Sequence, residues 1–157
     1  MEVSLNANAV DQDTRQIAPV LHAPFESLSR QLSKSYGGEI EHLWIDFELN
    51  QHHASLRPPR PFRYQKKVAP PALLRGLGLA HCNNVGHYSV RPDFHVLLAT
   101  PPDRVTVYAL QLIYRSTSML LEKQKRLGGF DASTFRANFL VGCKNLGYDF
   151  SATESTR

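Results

Sequence analysis

Between Glu48 and Asp93 the sequence contains no acidic residue. That interval holds Arg57, Arg60, Arg63, Lys66, Lys67, Arg75 and Arg91, while the remainder of the chain has eleven basic and fourteen acidic residues. The excess positive charge therefore lies in the middle of the sequence, where it favours anionic partners. Long hydrophobic runs are also missing. No apolar stretch approaches the ~20 residues needed to span a bilayer, so no membrane association is expected. The first residues, MEVSLNANAVDQDTRQ, place acids where a secretory signal would carry lysines. A cytoplasmic protein is expected on these grounds.

Cysteine is scarce. Cys82 and Cys143 stand far apart and form no CxxC pair, which favours buried thiols over a disulfide framework. Phosphate-cradling glycine loops are absent: RGLGLAHCNNVG lacks both Walker and dinucleotide spacing. No nucleophile elbow or cysteine–histidine signature is present. A chain of 157 residues nevertheless suffices for one domain that folds without metal or disulfide, and no cofactor is expected.

What is there reads as an α+β protein. Residues 1–20 show no periodicity and are expected to form a flexible N-terminal arm. Phe25, Leu28, Leu32 and Tyr36 recur at spacings of three and four, predicting a helix over 24–36 with Pro24 in its first turn and Gly37 as its stop. IEHLWIDFEL alternates with period two: Leu43, Ile45, Phe47 and Leu49 on one face, His42, Trp44, Asp46 and Glu48 on the other. That pattern is a half-buried strand. Further strands are expected at 85–90 and 94–99, joined by a turn at Arg91-Pro92-Asp93, with the nearly all-apolar second strand central in the sheet. A short helix is expected after Pro70 and Pro71.

Thr100 as N-cap and Pro101 at the first position predict a long helix near 101–127. Asp131 or Ser133 as cap, Phe135, Phe139, Leu140 and Cys143 as apolar face and Gly147 as stop predict a C-terminal helix near 132–146. The expected architecture is a small, mainly antiparallel sheet packed against helices. It forms a single domain over 21–150, followed by a polar tail at 151–157.

The most distinctive stretch is SLRPPRPFRYQKK, inside a basic, proline-rich arm at 55–71. Proline fixes φ and favours polyproline II with three residues per turn, which aligns Arg57, Arg60 and Arg63 on one edge about 9 Å apart. Guanidinium groups suit bidentate phosphate contact. Lys66 and Lys67 add charge, and Phe62 and Tyr64 are candidates for stacking on unpaired bases. The same letters contain PxxPxR from Pro58 to Arg63, a pattern of proline-rich ligands.

The leading expectation is a small non-enzymatic protein that binds nucleic acid or another polyanionic surface through this arm. A second is a metal-dependent hydrolase or nuclease using the strand carboxylates Asp46 and Glu48 with His42, since such groups can hold a divalent ion. His81, Cys82 and His87 are weaker metal candidates, because their spacing matches no zinc signature. A third is an adaptor or structural subunit of a larger complex, with the long helix and its Leu120–Leu121 end as the docking element.

Overall fold

Alternation builds the sheet. In a computed structural model, which describes residues 1–51, 63–65, 85–123 and 129–150, strand β2 runs over His42–Glu48. Leu43, Ile45, Phe47 and Leu49 are buried on one face of it, as their period demands. The N-terminal stretch expected as a flexible arm is instead strand β1, Glu2–Asn8, with Val3, Leu5 and Ala7 buried on that same face. Its alternation lacks the aromatic residues that mark β2, so the signal becomes decisive only once β2 stands beside it.

β1 pairs with β2 in parallel, Glu2 opposite His42 through Asn8 opposite Glu48. β2 pairs in parallel with β4, Val85–Val90. The short strand β3, Arg63–Gln65, adds antiparallel to the outside of β4, giving the order β1-β2-β4-β3. The expectation of a mainly antiparallel sheet is therefore overturned: the three main strands are all parallel. Helix α1, Ile17–Leu32, supplies the crossover that a parallel β1–β2 pair requires. α1 lies against β1 on the face of the sheet that carries the buried residues.

The helical layer packs on the apolar face. α1 buries Ala18, Leu21, Phe25, Leu28 and Leu32 against the sheet, with the Phe25 ring edge-on to Phe47 at 6.3 Å. Pro24 lies inside this helix rather than in its first turn. It removes one internal hydrogen bond, at the carbonyl of Val20, and Val20 is exposed, where water can replace the missing donor.

Two serines of α1 and its C-terminal cap close the outer edge of the sheet. The Val3 and Leu5 backbone N–H groups donate to Ser33 Oγ and Ser29 Oγ, each at 2.9 Å. An open strand edge invites pairing with other chains, and these hydroxyls occupy its donors.

After β4, Asp93 caps helix α2, Phe94–Ala99, by accepting from the His95 and Val96 backbone N–H groups. The central strand expected at 94–99 is thus a helix. Only Leu97 of it is buried, Val96 and Leu98 are exposed, and the place beside β4 belongs to β3. A local cap outweighs apolar content here.

Thr100 closes α2 rather than opening the next helix, its Oγ1 donating to the Val96 carbonyl at 2.6 Å. The long helix, α3, begins at Val105 and runs to Lys123, about 28 Å at 1.5 Å per residue. The Tyr88 hydroxyl and Thr117 Oγ1 hydrogen-bond in the interior and tie α3 to β4. Burial pushes the Tyr88 phenol well above its ordinary range.

Helix α4, Ala132–Asn145, matches its expected span. Asp131 caps it, accepting from the Thr134 N–H at 2.9 Å. It packs on α1 and α3 through Phe135, Phe139 and Cys143. Gly142 permits the approach to α1, because a Cβ there would meet Leu28 Cδ1 at 2.5 Å. The expected short helix after Pro71 and the 151–157 tail lie outside the described residues.

Candidate functional site

The face of the sheet opposite the helices carries the polar residues of every main strand. Strand period and register bring Glu2, Asn6 and Asn8 of β1 beside His42, Trp44, Asp46 and Glu48 of β2. On the other side of β2 stand His87 and Ser89 of β4. These side chains pair laterally, across strands.

Asp46 is the most connected. His87 Nε2 donates to Asp46 Oδ2 at 2.5 Å, and Asn6 Nδ2 donates to Oδ1 at 3.3 Å. A carboxylate only accepts, so this bond holds the proton on Nε2 of His87. The Trp44 ring is edge-on to the His87 ring at 6.1 Å and is itself buried, which fixes the imidazole plane from beside it. At one end of the face, His42 Nδ1 lies 3.2 Å from Glu2 Oε2. At the other, Arg91 Nε donates to Glu48 Oε2 at 2.7 Å. His42 and His87 retain 20% and 28% of their side-chain exposure, so both remain within reach of a ligand.

The predicted catalytic trio does not converge. His42 and Asp46 are four residues apart on one strand, about 13 Å at 3.3 Å per residue. His42, Asp46 and Glu48 each take a different partner: Glu2, His87 and Arg91. Among the described residues, no group of three or more His, Cys, Asp or Glu side chains is placed to hold a metal ion. Of the three weaker metal candidates, His87 is committed to Asp46; His81 and Cys82 lie outside the described residues.

The basic segment meets this face at the sheet edge. Arg63 pairs opposite His87, Tyr64 opposite Gly86 and Gln65 opposite Val85. These three residues are therefore edge strand, where a proline-rich segment is tolerated. Arg57, Arg60, Phe62, Lys66 and Lys67 lie outside the described residues, as does the polyproline geometry expected for them.

Glu2 and Asn6 carry no sequence signal of their own until β1 is recognised as a strand. That signal is the EVSLNAN alternation, which places both on the face opposite Val3 and Leu5. Beyond the strand ends, Asn50 ties the β1 and β2 termini together: its Oδ1 accepts from the Val10 and Asp11 N–H groups, and its Nδ2 donates to the Asn8 carbonyl. Cys143 is a free thiol in the core, pushed up to about 12 by burial, which keeps it protonated and inert.

Comparison with protein-family models, with curated proteins and with solved structures gives no match. No helix among the described residues is long and apolar enough to cross a membrane.

Proposed function

We propose that the chain binds single-stranded nucleic acid along a surface formed by the basic segment 55–71 and the adjoining polar face of the sheet. The observation that carries this reading is the pairing of β3 with β4, which sets Arg63 of the acid-free interval beside His87. Residues 63–65, paired to the sheet edge, lose less conformational entropy on binding than a free arm would. The carboxylates of the adjoining face each have a basic partner in His42, His87 or Arg91, which reduces their repulsion of phosphate. Arg57, Arg60, Arg63, Lys66 and Lys67 supply the phosphate contacts in this reading, and Phe62 and Tyr64 the stacking.

The test is titration of the full chain, and of a variant with those five basic residues changed to Gln, against single- and double-stranded RNA and DNA at two salt concentrations. Wild-type affinity falls as salt rises. On a single strand, each phosphate that the variant no longer neutralises reduces the log–log salt slope by about 0.7. Absence of salt-dependent binding to any nucleic acid overturns the proposal. Salt-dependent binding to polyglutamate alone moves the partner to an acidic protein surface.

A further inference from the structure

Three cross-strand pairs offset the carboxylates of the polar face, and they do so on unequal terms. Glu48 has Arg91, whose Nε lies 2.7 Å from Oε2. A guanidinium keeps its charge throughout the physiological range. The other two partners are imidazoles: His42 Nδ1 lies 3.2 Å from Glu2 Oε2, and His87 Nε2 donates to Asp46 Oδ2 at 2.5 Å. Imidazole is the side chain whose charge changes between about pH 5 and 8. With both rings neutral, the three pairs hold three carboxylates, Glu2, Asp46 and Glu48, against one cation, Arg91, an excess of two negative charges. With both rings protonated, the excess is zero.

The geometry lets that charge change without rearrangement. A carboxylate only accepts, so the ring nitrogen facing it is the donor, and an added proton enters at the other nitrogen, His42 Nε2 or His87 Nδ1. Each pair stays in place and gains a charge. Both rings are partly exposed, so water reaches them. His42 faces Glu2 on β1 and stands opposite the apolar Val85 on β4. His87 faces Asp46 and the Trp44 ring on β2; Asn6 of β1 shares that carboxylate, and Arg63 of β3 holds the register position opposite. Each ring acts through its own carboxylate, so the two need not meet at one ligand.

We propose that the polar face is a proton-controlled part of the nucleic-acid surface: protonation of His42 and His87 cancels its excess negative charge, and affinity for single-stranded nucleic acid rises as pH falls through the histidine range. This rests on the binding reading above and adds regulation to it. The basic segment attracts phosphate at either pH. The sheet face beside it repels phosphate at the higher pH and ceases to at the lower. Two unit charges, each some 8 Å from a phosphate in water, together change an association constant by about fivefold at low ionic strength.

The experiment titrates the full chain, and the H42Q/H87Q variant, with labelled oligouridylate and oligodeoxythymidylate, whose bases do not titrate in this range, at about pH 8 and about pH 5.5 and at two salt concentrations. The two proteins bind alike at the higher pH. The gain on acidification is about fivefold larger in the wild type than in the variant. Trp44, the single tryptophan, reports on His87 without nucleic acid. An imidazolium beside an indole quenches its emission, so wild-type emission falls across the same pH range and H87Q loses most of that fall. Salt-dependent binding with an equal gain in wild type and variant overturns the proton control and leaves the binding reading standing. Absence of salt-dependent binding at either pH overturns both. If H42Q/H87Q loses its folding transition, NMR titration of the wild-type imidazoles decides. Uptake of a proton by His42 and His87 over the range in which affinity rises supports the proposal, and rings that stay neutral throughout overturn it.

Discussion

The two faces of the sheet are built from alternate residues of the same strands and hold together by different physics. One is apolar: Val3, Leu5, Leu43, Ile45, Phe47, Tyr88 and Val90 sit beneath the helices and are almost wholly buried. The other links its strands by polar pairs: Glu2 with His42, Asn6 and His87 with Asp46, Arg91 with Glu48. The first face supplies stability through area removed from water. Partly exposed ion pairs add little, because screening and side-chain entropy offset their attraction. A parallel sheet is usually covered on both faces and reads as continuous hydrophobic strands. Here the strands largely alternate as in a half-solvated antiparallel sheet, because the described helices pack on one face; Trp44 and Val85 are the exceptions, buried on the other. What distinguishes the polar face is thus its laterally paired, partly exposed polar side chains.

Substitutions can break this comparison. The largest effect is expected at Phe47→Ala, which removes a ring packed against Phe25 and leaves a cavity under α1. It is expected to cost about 3–5 kcal/mol in denaturant unfolding. Gly142→Ala comes next, since the new methyl group meets Leu28 in the helical layer. Overpacking there is expected to cost about 1–3 kcal/mol, and the added cost of Gly142→Ala should be smaller when measured in a Leu28→Ala background.

On the polar face, Glu48→Gln weakens the pair with Arg91, and a loss of no more than about 1 kcal/mol is expected. A loss as large as that of Phe47→Ala would show that this face, too, is structural. The smallest effect concerns acid. The Thr134 hydroxyl and N–H hold Asp131 below its ordinary 3.8. Its capping contribution is therefore complete above that value and disappears as pH falls through the lower folded-state value. Amide exchange at the start of α4 is expected to quicken only there, and Asp131→Asn should remove that pH dependence.

Much of the molecule is legible residue by residue. The alternation of His42–Glu48 specifies both faces of β2, because a strand has a period of two whatever its neighbours are. Asp131 and the Phe135–Phe139–Cys143 spacing mark α4, because capping and helical period are local. Where neighbours decide, local pattern misleads. Phe94–Ala99 has strand-like composition yet is a helix, since β3 occupies the strand position and Asp93 offers a cap. Thr100 and Pro101 resemble a helix start, but the hydroxyl bonds backward to Val96. The candidate site is half visible. Asp46, Glu48, His42 and His87 stand out by type, but their partners do not, because those partners lie across the sheet and depend on strand order.

By itself, then, the sequence determined the faces of β2, the C-terminal helix and the concentration of positive charge in the middle of the chain, all of which rest on short-range period, capping or composition. Only the tertiary structure decided that β1 exists as a strand, that β1, β2 and β4 run parallel, and that each acid of the polar face meets a base from elsewhere. These are pairings between residues about forty positions apart, and their geometry follows from strand order and register, which no local pattern encodes.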